Sequence, residues 1–251
     1  LFVFFWRFSP LIIVFSAFIF ASFYGRASIY IDLLRSMPYL LACVLLGFTA
    51  MFNRSRFIAP IIIALFVYHF IRERLQVPLA QEKVMAMFAG LNILFCLQLV
   101  ISAIVPEKGL FNSKGSVFIG LLVCGDILLW YYGDALWWIT WLATIEIQQV
   151  SLFETQFWIT QALVLCHSVT FICLGLVSII RRTPADFALL LTWLTGVLVF
   201  FDFSFVDVSS VCFSALCLAL FVFFQQSNYQ VTYKDALTGI SGRRALDDYL
   251  T

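Results

Sequence analysis

The chain has 251 residues, of which 63% are hydrophobic and 12% charged, and its net charge is +1. A soluble domain carries about 25% charged residues, so a water-soluble globular fold is excluded, and no basic patch points to nucleic acid as a partner. The mean hydropathy is +1.01 and the apolar residues come in long runs, which predicts an all-α polytopic protein in a lipid bilayer.

In chain order the apolar runs are Phe8 to Tyr24, Ser36 to Phe52, Phe57 to Ile71, Val84 to Ile104, Gly115 to Tyr132, Phe157 to Ile180, Ala185 to Phe201 and Val206 to Phe224. They predict about eight transmembrane helices. Between the fifth and sixth runs lies Gly133 to Gln156. Its apolar part, Ala135 to Ile145, is short for a crossing. It carries Glu146 and Glu154 but no Lys or Arg, and its Trp137, Trp138 and Trp141 prefer the membrane interface. It reads as an external interfacial or re-entrant helix, with a ninth span as the alternative.

Ionisable groups at bilayer depth are expensive and mark candidate functional positions. There are three: Asp126 in the fifth run, His69 near the end of the third, and His167 in the middle of the sixth. Asp126 reads either as a sensing carboxyl, paired with His69 or an indole N–H, or as a helix-packing carboxyl held by an amide or hydroxyl. With eight spans Asp126 and His69 share the outer half of the bilayer. Segment 135–145 would then lie above them, over a pocket for a small apolar or aromatic ligand. His167 shares a helix face with Thr160, Thr170 and Ser178. Interhelical hydrogen bonding is one role for that stripe, and ligation of a metal or haem is another. The seven cysteines form no CxxC pair and sit at no metal-ligand spacing, so no metal site is assigned.

The first soluble, turn-bearing stretch is the last one: Asp235-Ala236-Leu237-Thr238-Gly239-Ile240-Ser241-Gly242-Arg243-Arg244-Ala245-Leu246. Gly239 and Gly242 suit turns, and Ser241 can cap a helix. Arg243 with Asp247 and Arg244 with Asp248 are i,i+4 charge pairs. On these residues alone a solvated tail helix is an equal reading. The stretch also resembles the opening of GGDEF domains, the catalytic domains of bacterial diguanylate cyclases. Asp235, Leu237, Thr238, Gly239, Arg243, Arg244 and Leu246 match that opening. Ile240 replaces the usual Leu, and Gly242 stands where Asn is commonest. The resemblance covers about 17 of the 251 residues and includes no catalytic position.

The resemblance implies a division into three parts. Residues 1–226 form an integral-membrane sensor, 227–234 a signalling-helix linker, and 235–251 the first part of an α/β GGDEF domain. It implies an enzyme that condenses two GTP to cyclic di-GMP with Mg²⁺ or Mn²⁺, across a homodimer of GGDEF domains. The metal-binding Asp, the guanine-binding residues and the GGDEF loop would lie beyond Thr251. A transporter- or channel-like bundle, or the sensor of a degenerate GGDEF effector, is the alternative. GTP is cytoplasmic, so the C-terminus is expected inside the bacterial inner membrane. Eight spans then place seven Lys or Arg inside and five outside, and nine spans give the same ratio. The purely basic turn Asn53-Arg54-Ser55-Arg56 favours eight, with both termini inside. The signal, a small molecule or a property of the membrane, is not legible.

Overall fold

Eight apolar runs give eight helices among the described residues, which in this computed structural model are 2–24, 31–76, 82–106, 109–133, 147–152, 155–201 and 206–233. The helices are α1 (Phe2–Tyr24), α2 (Ile31–Met51), α3 (Ser55–Arg74), α4 (Glu82–Ile104), α5 (Ser113–Tyr132), α6 (Gln161–Arg181), α7 (Pro184–Phe201) and α8 (Val206–Tyr233). Seven of them, α2 to α8, are long and apolar enough to cross a membrane; in α1 the described apolar stretch is Ser9–Ala21.

Local chemistry stops and restarts these helices where the charges are. Asn53 ends α2 in the left-handed region, at φ 55°. Arg54 N–H then donates to the Thr49 carbonyl and Asn53 N–H to that of Ala50, the double bond of a Schellman closure. Arg182, at φ 53°, ends α6 in the same region. Two residues later α7 begins, with Pro184 in its first turn. The Thr183 hydroxyl donates to Asp186 Oδ2 at 2.5 Å and accepts from the Asp186 N–H at 3.3 Å, which satisfies an orphan donor of the first turn.

Burial sorts the helices into two classes. The apolar windows of α3, α4 and α8 are 67% buried and that of α7 61%, against 22% for α2, α5 and α6. The first four form the interior. On the outer helices many of the exposed residues are themselves apolar, among them Leu121 and Leu128 on α5 and Leu165 and Ile179 on α6. A water-soluble bundle would place polar residues there, so this outer surface suits lipid. The core runs through Phe57, Tyr68, Phe95, Phe213 and Phe224, all essentially inaccessible. Contact of α7 with α4 depends on Gly196, where a Cβ would come within 2.3 Å of the Phe95 ring.

Polar contacts at the helix ends fix the direction of each crossing. At one end Arg35 at the start of α2 pairs with Asp207 at the start of α8, and Arg74 closing α3 lies over Trp130 near the end of α5. At the other end Arg56 of α3 pairs with Asp186 of α7. The Ala103 carbonyl closing α4 accepts from Arg56 there and from Arg181 at the end of α6. Helices α2 to α8 therefore alternate in direction. The link from α5 to α6 therefore begins and ends at the same end of the bundle.

One sequence expectation needs correcting. Gly133 to Gln156 was expected to be an interfacial or re-entrant helix. Instead Ile147–Leu152 (β1) and Thr155–Thr160 (β2) pair antiparallel, with Val150 opposite Phe157 and Gln149 opposite Trp158. The sixth run accordingly begins at Gln161 rather than Phe157. The physical reason is composition: Ile147, Val150, Phe157, Trp158, Ile159 and Thr160 are strand formers. The stretch Ala135 to Ile145 lies outside the described residues.

Candidate functional site

The three ionisable positions singled out in the sequence, Asp126, His69 and His167, have three different surroundings. Asp126 lies on the buried stripe of α5 with Phe118, Leu122 and Leu129, a spacing that turns it toward the bundle. Its partner is an amide: Gln98 Nε2 of α4 donates to Asp126 Oδ1 at 2.7 Å and to the Leu122 carbonyl at 3.1 Å. Both side chains are buried. The anticipated pairing with His69 is not made among the described residues. Asp126→Leu is expected to cost about 1–3 kcal/mol, because it strips a buried donor of its acceptor. Asp126→Asn is expected to cost less than about 1 kcal/mol. Thermal unfolding in detergent or nanodiscs checks both.

His69 belongs to an aromatic cluster at the end of the bundle that carries Arg35 and Asp207. Its ring stacks on Trp130 at 4.9 Å and 17°, and its Nδ1 lies 3.0 Å from the Tyr39 hydroxyl. Arg74 sits 4.7 Å over Trp130, a cation–π contact. One residue back, the Tyr68 hydroxyl donates to the Arg35 carbonyl at 2.7 Å and meets Ser210 at 3.0 Å. The cluster ties α2, α3, α5 and α8 together.

His167 is where the structure opens. Because α6 starts at Gln161, this histidine lies in the second turn rather than mid-span, about 10 Å from the hairpin end. Asn92 Nδ2 of α4 donates to the Phe88 carbonyl at 2.8 Å, which aims Asn92 Oδ1 at His167 Nε2, 2.9 Å away. That arrangement assigns the proton to Nε2. His167 Nδ1 is then left to accept from the Cys96 thiol at 3.4 Å. Both ring nitrogens are thus engaged. The expected stripe of Thr160, Thr170 and Ser178 is partly realised: Thr170 and Ser178 are buried, but Thr170 bonds the carbonyl of Cys166 on its own helix.

Beside His167 lies a cavity of about 330 Å³. Phe88 and Asn92 of α4 form its floor; α6 and α7 form its walls, with Phe171, Trp193 and Phe200 supplying aromatic faces. The Trp193 indole Nε1 is buried and has no hydrogen-bond partner among the described residues. This cavity is distinct from the pocket expected around Asp126 and His69, whose cover, 135–145, lies outside the described residues. Sequence reasoning had no means of pairing α4 with α6, and Asn92 and Cys96 passed as neutral residues in an apolar run. Among the described residues no three His, Cys, Asp or Glu side chains converge as a metal site would require. The motif residues Asp235, Leu237, Thr238, Gly239, Arg243 and Arg244 lie outside the described residues.

Comparison with protein-family models, with curated proteins and with solved structures finds no significant match to this chain.

Proposed function

We propose that the bundle is the membrane-embedded sensory region of a bacterial diguanylate cyclase, and that residues 235–251 open its cytoplasmic GGDEF domain. The observation that carries this reading is the stretch Asp235 to Leu246, set directly behind a helix that runs unbroken from Val206 to Tyr233. A transporter would need a polar path across the bundle. Asp126 is sealed against Gln98, and His167 is satisfied by Asn92 and Cys96, so neither supplies one. In this reading the domain beyond the bundle binds GTP and Mg²⁺ or Mn²⁺ and pairs as a homodimer, and the bundle supplies regulation.

The same reading orients the protein. Helix α8 leaves the bundle at the end that holds Arg54, Arg56, Arg181 and Arg182, which by the positive-inside rule faces the cytoplasm. The hairpin and the cavity beside His167 then face the periplasmic half. Reporter fusions ending near Thr183 and Val231 are expected to score cytoplasmic and one near Gln149 periplasmic; the reverse pattern overturns the orientation. The function is tested by cyclic di-GMP in cells expressing the full reading frame, with and without residues 1–225. Nucleotide that is produced and changes on deletion supports the reading. No cyclic di-GMP from either form rejects it in favour of a degenerate effector or a transporter.

A further inference from the structure

We propose that Cys96 of α4 and Cys166 of α6 form a disulfide when a lipid hydroperoxide reaches Cys166 from the bilayer, with His167 moving the proton. The proposal rests on the bundle being membrane-embedded and is independent of the chemistry of the C-terminal domain. Three observations carry it.

The first is proximity. Cys166, His167 and Thr170 stand at i, i+1 and i+4 on α6, three of the four corners of a hole on a helix surface. Cys96 fills that hole from α4. Its Sγ lies 3.4 Å from His167 Nδ1, and its thiol meets the side chains of Cys166 and Thr170 as hydrogen-bond partners. Asn92, one turn before Cys96, holds the other nitrogen of His167, so α4 and α6 are in fixed register here. The two thiols have only to close from contact to the ~2.05 Å of an S–S bond.

The second is the base beside them. The attacking form of a cysteine is its thiolate, and a thiol in apolar surroundings is inert without a base. Asn92 Oδ1 fixes the proton of His167 on Nε2, so the lone pair of Nδ1 faces the Cys96 thiol. An imidazole in that place takes the thiol proton as the sulfur attacks.

The third is unequal exposure. Cys96 is buried, whereas Cys166 is partly exposed on the outer helix that presents Leu165 and Val169 to lipid. An oxidant therefore arrives through the bilayer and meets Cys166 first. A hydroperoxide on an acyl chain is already in that phase. The Cys166 sulfur attacks its terminal oxygen, the O–O bond breaks, the alcohol leaves with the thiol proton, and Cys166 becomes a sulfenic acid. The Cys96 sulfur then attacks Cys166 Sγ and the S–O bond breaks. His167 Nδ1 takes the Cys96 proton and returns it to the departing hydroxide. Two thiols and one hydroperoxide thus give one disulfide, one alcohol and one water.

The test treats the 251-residue chain in lipid nanodiscs with cumene hydroperoxide, blocks the remaining thiols with N-ethylmaleimide in denaturant, and maps the peptides by mass. A peptide pair joined through Cys96 and Cys166 is expected, and its absence overturns the site. Phenylarsine oxide, which bridges close thiols, checks the pairing on the unaltered chain without an oxidant. It is expected to protect both cysteines from maleimide, and protection of neither overturns the pairing. Dimedone, which traps sulfenic acids, reads the order of events. An adduct is expected on Cys166 in Cys96→Ser and none on Cys96 in Cys166→Ser; the reverse overturns the order. His167→Gln is expected to slow the link at least about tenfold, and an unchanged rate overturns the role of His167. Since the link is read by mass, failure here is distinct from failure of the cyclase assignment, which is read as nucleotide.

Discussion

Arg56→Met is expected to destabilise the bundle by about 3–5 kcal/mol, the cost of leaving a buried charge unpaired. Asp186 is fully inaccessible and Arg56 only 10% exposed, with 3.0 Å between Arg56 Nη2 and Asp186 Oδ1. Once the guanidinium is gone, Asp186 keeps only the Thr183 hydroxyl and its own capping role. The Ala103 carbonyl keeps Arg181. The double variant Arg56→Met with Asp186→Asn removes both charges and retains the cap, so it is expected to recover most of the loss. Thermal or denaturant unfolding of the four proteins of this cycle gives the coupling directly. A single variant as stable as the wild type would mean that water reaches Asp186 and that the pair is a surface contact.

The second large effect is expected at the exit of α8. Gln226 is still buried and Tyr229 is 58% exposed, so the helix leaves the bundle between them and continues to Tyr233. The last two turns, Ser227 to Tyr233, have neither Pro nor Gly and extend for about 10 Å. A stiff extension carries rotation as well as displacement. On the proposed function, inserting two residues between Gln226 and Ser227 turns whatever follows by about 200°, whereas four turn it by about 40° beyond a full turn. Cyclic di-GMP output of the full reading frame is expected to rise and fall with insert length. Four residues should lie near the wild type and two far from it. Asp235→Ala is expected to flatten the pattern, since by resemblance Asp235 pairs with Arg243 or Arg244 at the joint. If inserts of one to four residues all leave output unchanged, the junction is a passive tether and no rotation is transmitted.

The helices were legible because a crossing demands about 20 apolar residues, and each of the eight runs supplies them or nearly so. The turn at Asn53 was legible as a basic break, though not as the Schellman closure that its left-handed residue makes. The hairpin was missed because Trp137, Trp138 and Trp141 drew the reading of the whole segment toward an interface helix, while its strand formers lie later, from Ile147 to Thr160. Asp126 was correctly singled out as a buried carboxyl, with an amide among its weighed partners. That the amide is Gln98 could not be read, because nothing local says that α4 lies against α5. The cavity beside His167 was illegible for the same reason. It is made by α4 together with α6 and α7, which lie about 70 to 110 residues further along the chain, and the Asn and Cys that engage His167 look unremarkable in an apolar run.

Helix α7 is anchored unevenly, and that has a mechanical consequence. Its first turn is clamped by charge, Asp186 to Arg56, and through Arg56 to the Ala103 carbonyl in the last turn of α4. Its far half meets its neighbours through aromatic edges, Phe200 against Phe88 and Phe95, which slide at little cost compared with breaking an ion pair. The helix is therefore a rod pinned at one end. Any tilt about the Asp186 pivot displaces Phe201, at the far end of the rod, the most. Only residues 202–205 separate Phe201 from the start of α8, so the tip of the rod pulls on the helix that leaves the membrane.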